Sequence, residues 1–484
     1  MTRRLPVVSS PGPLEDYALR FDDLFRARAQ REGFRRYLEG LLLPAERNKT
    51  LTALANTEPV AGAQRKEAQR LQWFLSESGW DQQELNGRRL DLLFEDSATA
   101  PNGEGVLAID EHGERKWGKH TAHVGKQWLA NMGKTENGVV SVSSVWADEG
   151  MYYPLEVEPY TPKHHFEGGT SDPRFRTKLK IAQQLVERSV ETSVPFRAVV
   201  ADSFYGEDEG FRQALSKLGT GYVLAVKESH LWWHREGTIG PLSEAAEAAG
   251  WKDADDPGRW RKEMRAFGDG HQEEWWALEV EAGPYGPEKA QRAFVLSTDP
   301  ERLPRLGTWY LTTNLPAPGD RSARETEGQP LLSAASVAEV VRLYGLRMCV
   351  EQSYKQVKHA LGWSAYQLRT DTAIRRHWQL VCCAFSFWWA YGRLPTDDGE
   401  QSAEHPEGDL PAWPARKERK EALVGVLAGG VEGGEGVAGT VGDAVALLES
   451  DLRSAPADGA KSAARAGVLG AGTLPLCPLT TKYR

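Results

Sequence analysis

The chain has 484 residues, 40% of them apolar and 26% charged, with a formal net charge of −9. Such a composition excludes collagen-like, coiled-coil and wholly disordered proteins, and the length suggests about three domains. Four cysteines (Cys349, Cys382, Cys383, Cys477), none in a CxxC pair, exclude a disulfide framework and argue against a structural zinc site.

Residues 1–97 read as an N-terminal helical domain. Apolar residues recur at helical spacing at Leu14, Tyr17, Phe21, Leu24 and Phe25, at Phe34, Tyr37, Leu38 and Leu41, and at Leu71, Phe74 and Leu75. Interspersed arginines make a DNA-contacting surface the sharper expectation and a solvated charged face the simpler one. After the turn-rich DSATAPNGEG, residues 98–230 alternate strand and helix patterns. Strands are expected at 106–110, 139–146, 152–160, 196–202 and 221–226, and helices at 175–190 and 207–218. Three successive strands suggest a meander, and the later alternation suggests parallel additions. Residues 231–330, with Trp232, Trp233, Trp251, Trp260, Trp275, Trp276 and Trp309 among short β-like runs, read as a β-rich inserted domain. Residues 331–395 return to helix, over 332–361 and again over 372–391. Residues 396–484 form an acidic then Gly/Ala-rich tail, with no aromatic residue from Pro414 to Lys482; such a segment buries little and is expected to be poorly ordered.

Two targeting questions have short answers. The N-terminus lacks the apolar core of a signal peptide. The most apolar stretch, Leu380–Tyr391, has 12 residues, against roughly 20 for a membrane span. A reduced, soluble, cytoplasmic protein is expected.

The charge is uneven. Residues 112–134 hold five bases (Arg115, Lys116, Lys119, Lys126, Lys134) against Glu114 alone, and residues 331–395 hold eight bases against three acids. Both basic segments flank the candidate chemistry.

That chemistry begins with Asp110 and Asp202, each closing an apolar strand (VLAID, FRAVVAD). Taken singly, a strand-end aspartate is a cap or turn residue. Paired at one sheet edge, two acids repel unless a cation lies between them. The helix expected at 335–361 offers a third carboxylate, Glu351, with Tyr344, Arg347 and Lys358. At about 100° per residue these four share a sector of about 60°, and Lys355 borders it. A solvated face with i,i+4 charge pairs is the plain alternative. One carboxylate among an aromatic and several cations instead suits a metal beside phosphates.

These motifs resemble those of the DDE transposases, whose core is RNase H-like. The spacing Tyr-x2-Arg-x3-Glu-x6-Lys in YGLRMCVEQSYKQVK is similar to the YREK signature of one group of bacterial insertion-sequence transposases, the insertion-sequence-four type. LAIDEHGERKWGKHT and AVVADSFYGE resemble that group's first two catalytic motifs, and the resemblance spans about residues 15–395. It departs at Glu111, where many relatives carry a second Asp, at Ser203, and in the tail. One reading of the tail beyond about residue 415 is out-of-frame or decayed coding.

The resemblance implies an α/β fold with an RNase H-like mixed-sheet catalytic core. It implies that Asp110, Asp202 and Glu351 are catalytic and hold two Mg²⁺ ions, with Mn²⁺ able to substitute. It implies that Tyr344, Arg347 and Lys358 bind DNA phosphates; Lys355 joins them from its angle on the helix. The expected activity is metal-dependent cleavage at the ends of an insertion sequence and strand transfer into target DNA. The expected partners are terminal-repeat and target DNA and a second copy of the chain, with no membrane, and the expected setting is the bacterial nucleoid. The alternatives are a catalytically retired or domesticated DNA-binding relative, and a nuclease of the same fold that does not join strands. A P-loop in Gly113–Lys119 is disfavoured because His120 stands where the Mg²⁺-binding hydroxyl belongs. A zinc site from His120, His123, His164 and His165 lacks any HExxH-like spacing.

Overall fold

The computed structural model describes residues 12–43, 47–234, 238–266, 272–282, 291–320, 332–351 and 360–391. The tail expected to be poorly ordered lies outside the described residues.

The N-terminal helices are α1 (Gly12–Leu19), α2 (Arg28–Leu42), α3 (Leu51–Leu54), α4 (Lys66–Ser76) and α5 (Gln82–Glu95). Their apolar stripes meet in a core of Phe21, Phe25, Phe34, Phe74 and Leu85, each fully buried. Asp81 starts α5 by accepting the backbone N–H groups of Gln83 and Glu84. Arg35, buried within α2, is held by Glu15 at 2.6 Å and Asp22 at 2.7 Å.

A ten-stranded sheet follows. Its strands are β1 (Val106–Arg115), β2 (Gly125–Leu129), β3 (Lys134–Ala147), β4 (Tyr152–Tyr160), β5 (Ala198–Ala201), β6 (Tyr222–Val226), β9 (Arg261–Ala266), β10 (Gln272–Val280), β11 (Arg292–Ser297) and β12 (Thr308–Thr313). β7 (Leu231–Trp233) and β8 (Ile239–Pro241) form a separate ribbon. β3 pairs antiparallel with β1, β2 and β4, whereas β5 lies parallel to both β1 and β6. The order β4-β3-β1-β5-β6 is the mixed sheet of an RNase H-like core. Helices α6 (Lys178–Glu191), α7 (Ser203–Gly206) and α8 (Glu209–Lys217) connect and cover the parallel strands.

Three expectations change. β1 does not stop at Asp110 but runs on to Arg115, because the antiparallel ladder to β3 continues past the point where β5 ends. The basic stretch after β1 contains a strand, β2, whose outward residues Lys126 and Trp128 alternate with buried Gln127 and Leu129. The β-rich stretch expected as an insertion hydrogen-bonds into the main sheet: β12 pairs antiparallel with β6, and β11, β10 and β9 follow. It also carries its own apolar cluster around Trp232, Trp260, Trp276 and Leu278.

Among the described residues, α9 (Leu242–Glu247) lies in the β-rich stretch, and α10 (Val337–Gly345) and α11 (Asp371–Tyr391) follow it. The single helix expected over 332–361 is interrupted: α10 ends at Gly345, a turn occupies Leu346 and Arg347, and helix resumes over 348–351. α11 explains the most apolar stretch of the chain. Leu380 to Phe385 are buried all round, against the N-terminal helices on one side and β4 on the other. Tyr17 donates to the Cys383 carbonyl at 3.1 Å, and Tyr152 of β4 meets Trp389 edge-on at 5.6 Å. No helix of the described residues is long and apolar enough to cross a membrane.

Gly206 seats α7 on β6. A Cβ there would lie 1.8 Å from the Ala225 carbonyl oxygen, so no larger residue fits without moving backbone. Gly206→Ala is expected to lower stability by about 1–3 kcal/mol, the usual cost of overpacking. Urea unfolding at neutral pH measures it; an unchanged midpoint would show that the α7–β6 contact gives way freely.

Candidate active site

β1 and β5 run parallel with Ile109 opposite Ala201, so the next residue of each strand, Asp110 and Asp202, stands at the same level of the sheet. Asp110 keeps its antiparallel partner, Ser143 of β3. Asp202 leaves the sheet and caps α7, accepting the Phe204 N–H at 3.0 Å. The capping role of a strand-end aspartate is therefore present alongside the pairing of the two acids. Side chains alternate along a strand, so Glu111 turns away from Asp110 and pairs with Lys178 of α6 at 2.7 Å.

Arg347 joins the third acid to the first. Its guanidinium lies 3.8 Å from Asp110 and 3.4 Å from Glu351, and the side chain is only 16% exposed. Arg347 lies in the turn at 346–347, largely buried and in reach of both acids. Burial works against its charge, but the Tyr344 hydroxyl, Asp110, Asp202 and Glu351 outweigh it and hold the guanidinium pKa above its ordinary value. Burial pushes the Asp110 carboxyl up; Arg347 opposes this, Asp202 and Glu351 add to it, and the result is about 7. Among the described residues, one guanidinium thus lies among three carboxylates.

Tyr344 is buried as well. Its ring meets Trp309 of β12 edge-on at 5.0 Å, and Trp309 lies 4.3 Å from Trp275 of β10. Arg265 of β9 covers Trp309 at 4.8 Å and donates to the Met348 sulfur at 3.0 Å. Burial lowers the Arg265 pKa to about 10. The β-rich strands therefore grip the helix that carries the site. Burial, opposed by Arg347 and aided by the three carboxylates, lifts Tyr344 to about 12, so its hydroxyl stays protonated. The sector expected to be shared by Tyr344, Arg347, Glu351 and Lys358 assumed one unbroken helix, and the turn at 346–347 interrupts it. Glu351 alone is well exposed, at 48%. Lys355 and Lys358 lie outside the described residues.

Lys178, Arg265 and Trp309 were not singled out as site residues by the sequence. Each reaches the site through sheet or helix packing between segments distant in the chain, and no local spacing marks such contacts. The other motifs resolve into structure. Gly113–Arg115 of the P-loop-like stretch is β-strand and leads to another strand, not to a helix N-terminus. His123 bonds Thr161 and Asp371, each at 2.7 Å, and His164 and His165 both approach the Val124 carbonyl.

Among the described residues no group of three or more His, Cys, Asp or Glu side chains is drawn together tightly enough to hold a metal ion. The donor chemistry nevertheless suits a hard divalent cation: three carboxylates, one of them driven to high proton affinity by burial, with the charge of Asp202 and Glu351 adding to it.

Comparison with known proteins agrees with this geometry. A family described as the DDE superfamily endonucleases matches residues 20–283, more than half of the chain, taking in Asp110 and Asp202 but not Glu351. A protein of Microchaete diplosiphon named as a probable transposase for insertion sequence element IS701 is 30% identical over 369 residues, covering 76% of this chain and 85% of its own length. With Asp110 and Asp202 level where the parallel pairing of β1 and β5 ends, and an RNase H-like sheet beneath them, the chain belongs to the DDE superfamily of endonucleases, among the insertion-sequence transposases.

Proposed function

We propose that the protein is a cut-and-paste DNA transposase of the YREK group, cleaving DNA at the ends of its element and joining the freed strands to target DNA. The observation that carries this reading is the register Ile109 to Ala201, which levels Asp110 with Asp202, together with the Arg347 contacts that tie Glu351 to Asp110.

Asp110, Asp202 and Glu351 would hold two Mg²⁺ ions, with Mn²⁺ able to substitute. Bound there, the pair supplies an activated oxygen nucleophile and stabilises the leaving oxygen of an in-line displacement. Without them, Arg347 partly neutralises the acids and keeps Glu351 within reach of Asp110. Tyr344, protonated and wedged against Trp309, supplies a neutral hydroxyl beneath the site. Lys355 and Lys358, four and seven residues beyond Glu351 in the sequence, are proposed as phosphate-binding residues with Arg347 and Tyr344. The N-terminal helices are proposed to bind DNA, and a homodimer would hold the two element ends together, in the nucleoid of a bacterial cell.

The test uses a supercoiled plasmid carrying the element's own ends, incubated with the protein in Mg²⁺ or in EDTA. Excision and joined target products in Mg²⁺ alone are expected. Cutting without joining would make the protein a nuclease of the same fold, and binding without cutting would make it a retired relative.

A further inference from the structure

We propose that Trp117 and Arg115 form a stacking platform for an unpaired nucleobase of the DNA; this rests on the transposase reading above. Trp117 is 85% exposed, yet it does not stand on a loose loop. The turn that carries it is tied to β3: the Lys116 N–H donates to the Asn137 carbonyl at 2.9 Å, and the Asn137 side chain donates to the carbonyls of Lys116 and Gly118 at 2.7 and 2.9 Å. Lys116 points inward, donating to the carbonyls of Ser364 and Tyr366, each at 3.2 Å, and lying 3.3 Å over the Tyr366 ring. The turn is therefore clamped on two sides with the indole left outside.

Arg115 lies 3.9 Å over the Trp117 ring. This cation–π contact covers one face of the indole and orients it; at 85% exposure the opposite face is open. The surroundings select the occupant. Lys119 and Lys126 are exposed beside the turn; of the two acids near it, Glu114 is turned inward and only 3% exposed, and Glu136, close to Arg115, is paired with Lys134 at 2.9 Å, so the rim stays net positive. A positive rim around an open aromatic face is complementary to a nucleic-acid strand. In an intact duplex the base faces are already stacked and only groove edges are presented. An indole face fixed in this way can stack without unstacking a duplex only where a base is already unpaired, and every base then offers a π-face.

The platform is tested with the full-length protein on two probes: a forked duplex whose single-stranded arm carries 2-aminopurine, and the blunt duplex of the same sequence. Wild type is expected to bind the forked DNA more tightly and to quench 2-aminopurine emission on binding. Trp117→Ala is expected to weaken forked-DNA binding about tenfold and abolish the quenching, with blunt-duplex affinity, its salt slope and the urea midpoint unchanged. Trp117→Tyr is expected to restore most of both signals. Equal losses on the two probes, or no loss on either, would overturn the platform. A changed sedimentation coefficient of the DNA-free variant would instead assign the indole to contact with a second copy of the chain. Failure of wild type to bind either probe would overturn the transposase reading itself, an outcome distinct from a loss confined to Trp117→Ala.

Discussion

Asp110→Asn, Asp202→Asn and Glu351→Gln are each expected to slow the proposed cleavage by about 10³-fold or more while DNA affinity stays within a few-fold. The size follows from the chemistry: a bound cation stabilises transition-state charge by several kcal/mol, and each 1.36 kcal/mol is tenfold in rate. Each substitution keeps the shape of the side chain and deletes one negative charge. For Asp110 the folding cost should be small or favourable, because burial and two neighbouring carboxylates already disfavour its ionised form. Urea unfolding then separates the two effects. A variant that unfolds like wild type but no longer cuts plasmid DNA has lost chemistry. A variant that still cuts at more than a tenth of the wild-type rate removes that residue from the site. Glu351 is the most informative of the three, since the matched family segment ends before it and its tie to the others runs through Arg347.

The second large effect is on stability against acid. His377 of α11 is fully buried. Its Nε2–H faces the carbonyls of Gly362 and Trp363 at 3.1 and 3.3 Å, so Nδ1 accepts the Tyr37 hydroxyl at 2.8 Å. Burial, with the charge of Lys116 adding to it and the two carbonyls opposing, lowers its pKa to about 4. The unfolded chain binds a proton near pH 6.5. Between those values the unfolded state holds a proton that the folded state does not, so stability falls as pH falls, by up to about 3 kcal/mol at pH 4. Above pH 6.5 and below pH 4 this group adds no further slope. Urea unfolding at several pH values measures it, and His377→Gln should flatten the pH 4–6.5 limb relative to wild type. Parallel limbs in the two proteins would assign the acid sensitivity elsewhere.

Much of this site was legible in the sequence because strand-end acids leave a local signature. VLAID and FRAVVAD are apolar runs closed by aspartate, and the fold aligns them by a parallel register. Other parts leave no such mark. β2 was hidden because GKQWL is short and flanked by glycines and lysines, so its alternation read as a basic loop. The break at Leu346–Arg347 carries neither glycine nor proline; Gly345 just before it was absorbed into the helical pattern. The burial of Arg347 was illegible because a cation on a helix ordinarily faces water, and only the three acids around it make the inward position tolerable. The pairing of β12 with β6 joins segments nearly a hundred residues apart, which no window of sequence can register.

The burial of α11 has a consequence for how the protein is made. The hydrogen bond from Tyr17 to Cys383 spans 366 residues. At roughly 5–20 residues per second of synthesis, α1 waits about 20–70 s for the helix that completes its core. During that interval Phe21, Phe34 and Phe74 have each other but not Cys383, Phe385 or Phe387, and they are clients for chaperones. A ribosome that stops before residue 371 releases a chain whose N-terminal helices lack their central partner. Truncated products should therefore be degraded and not persist as folded N-terminal fragments.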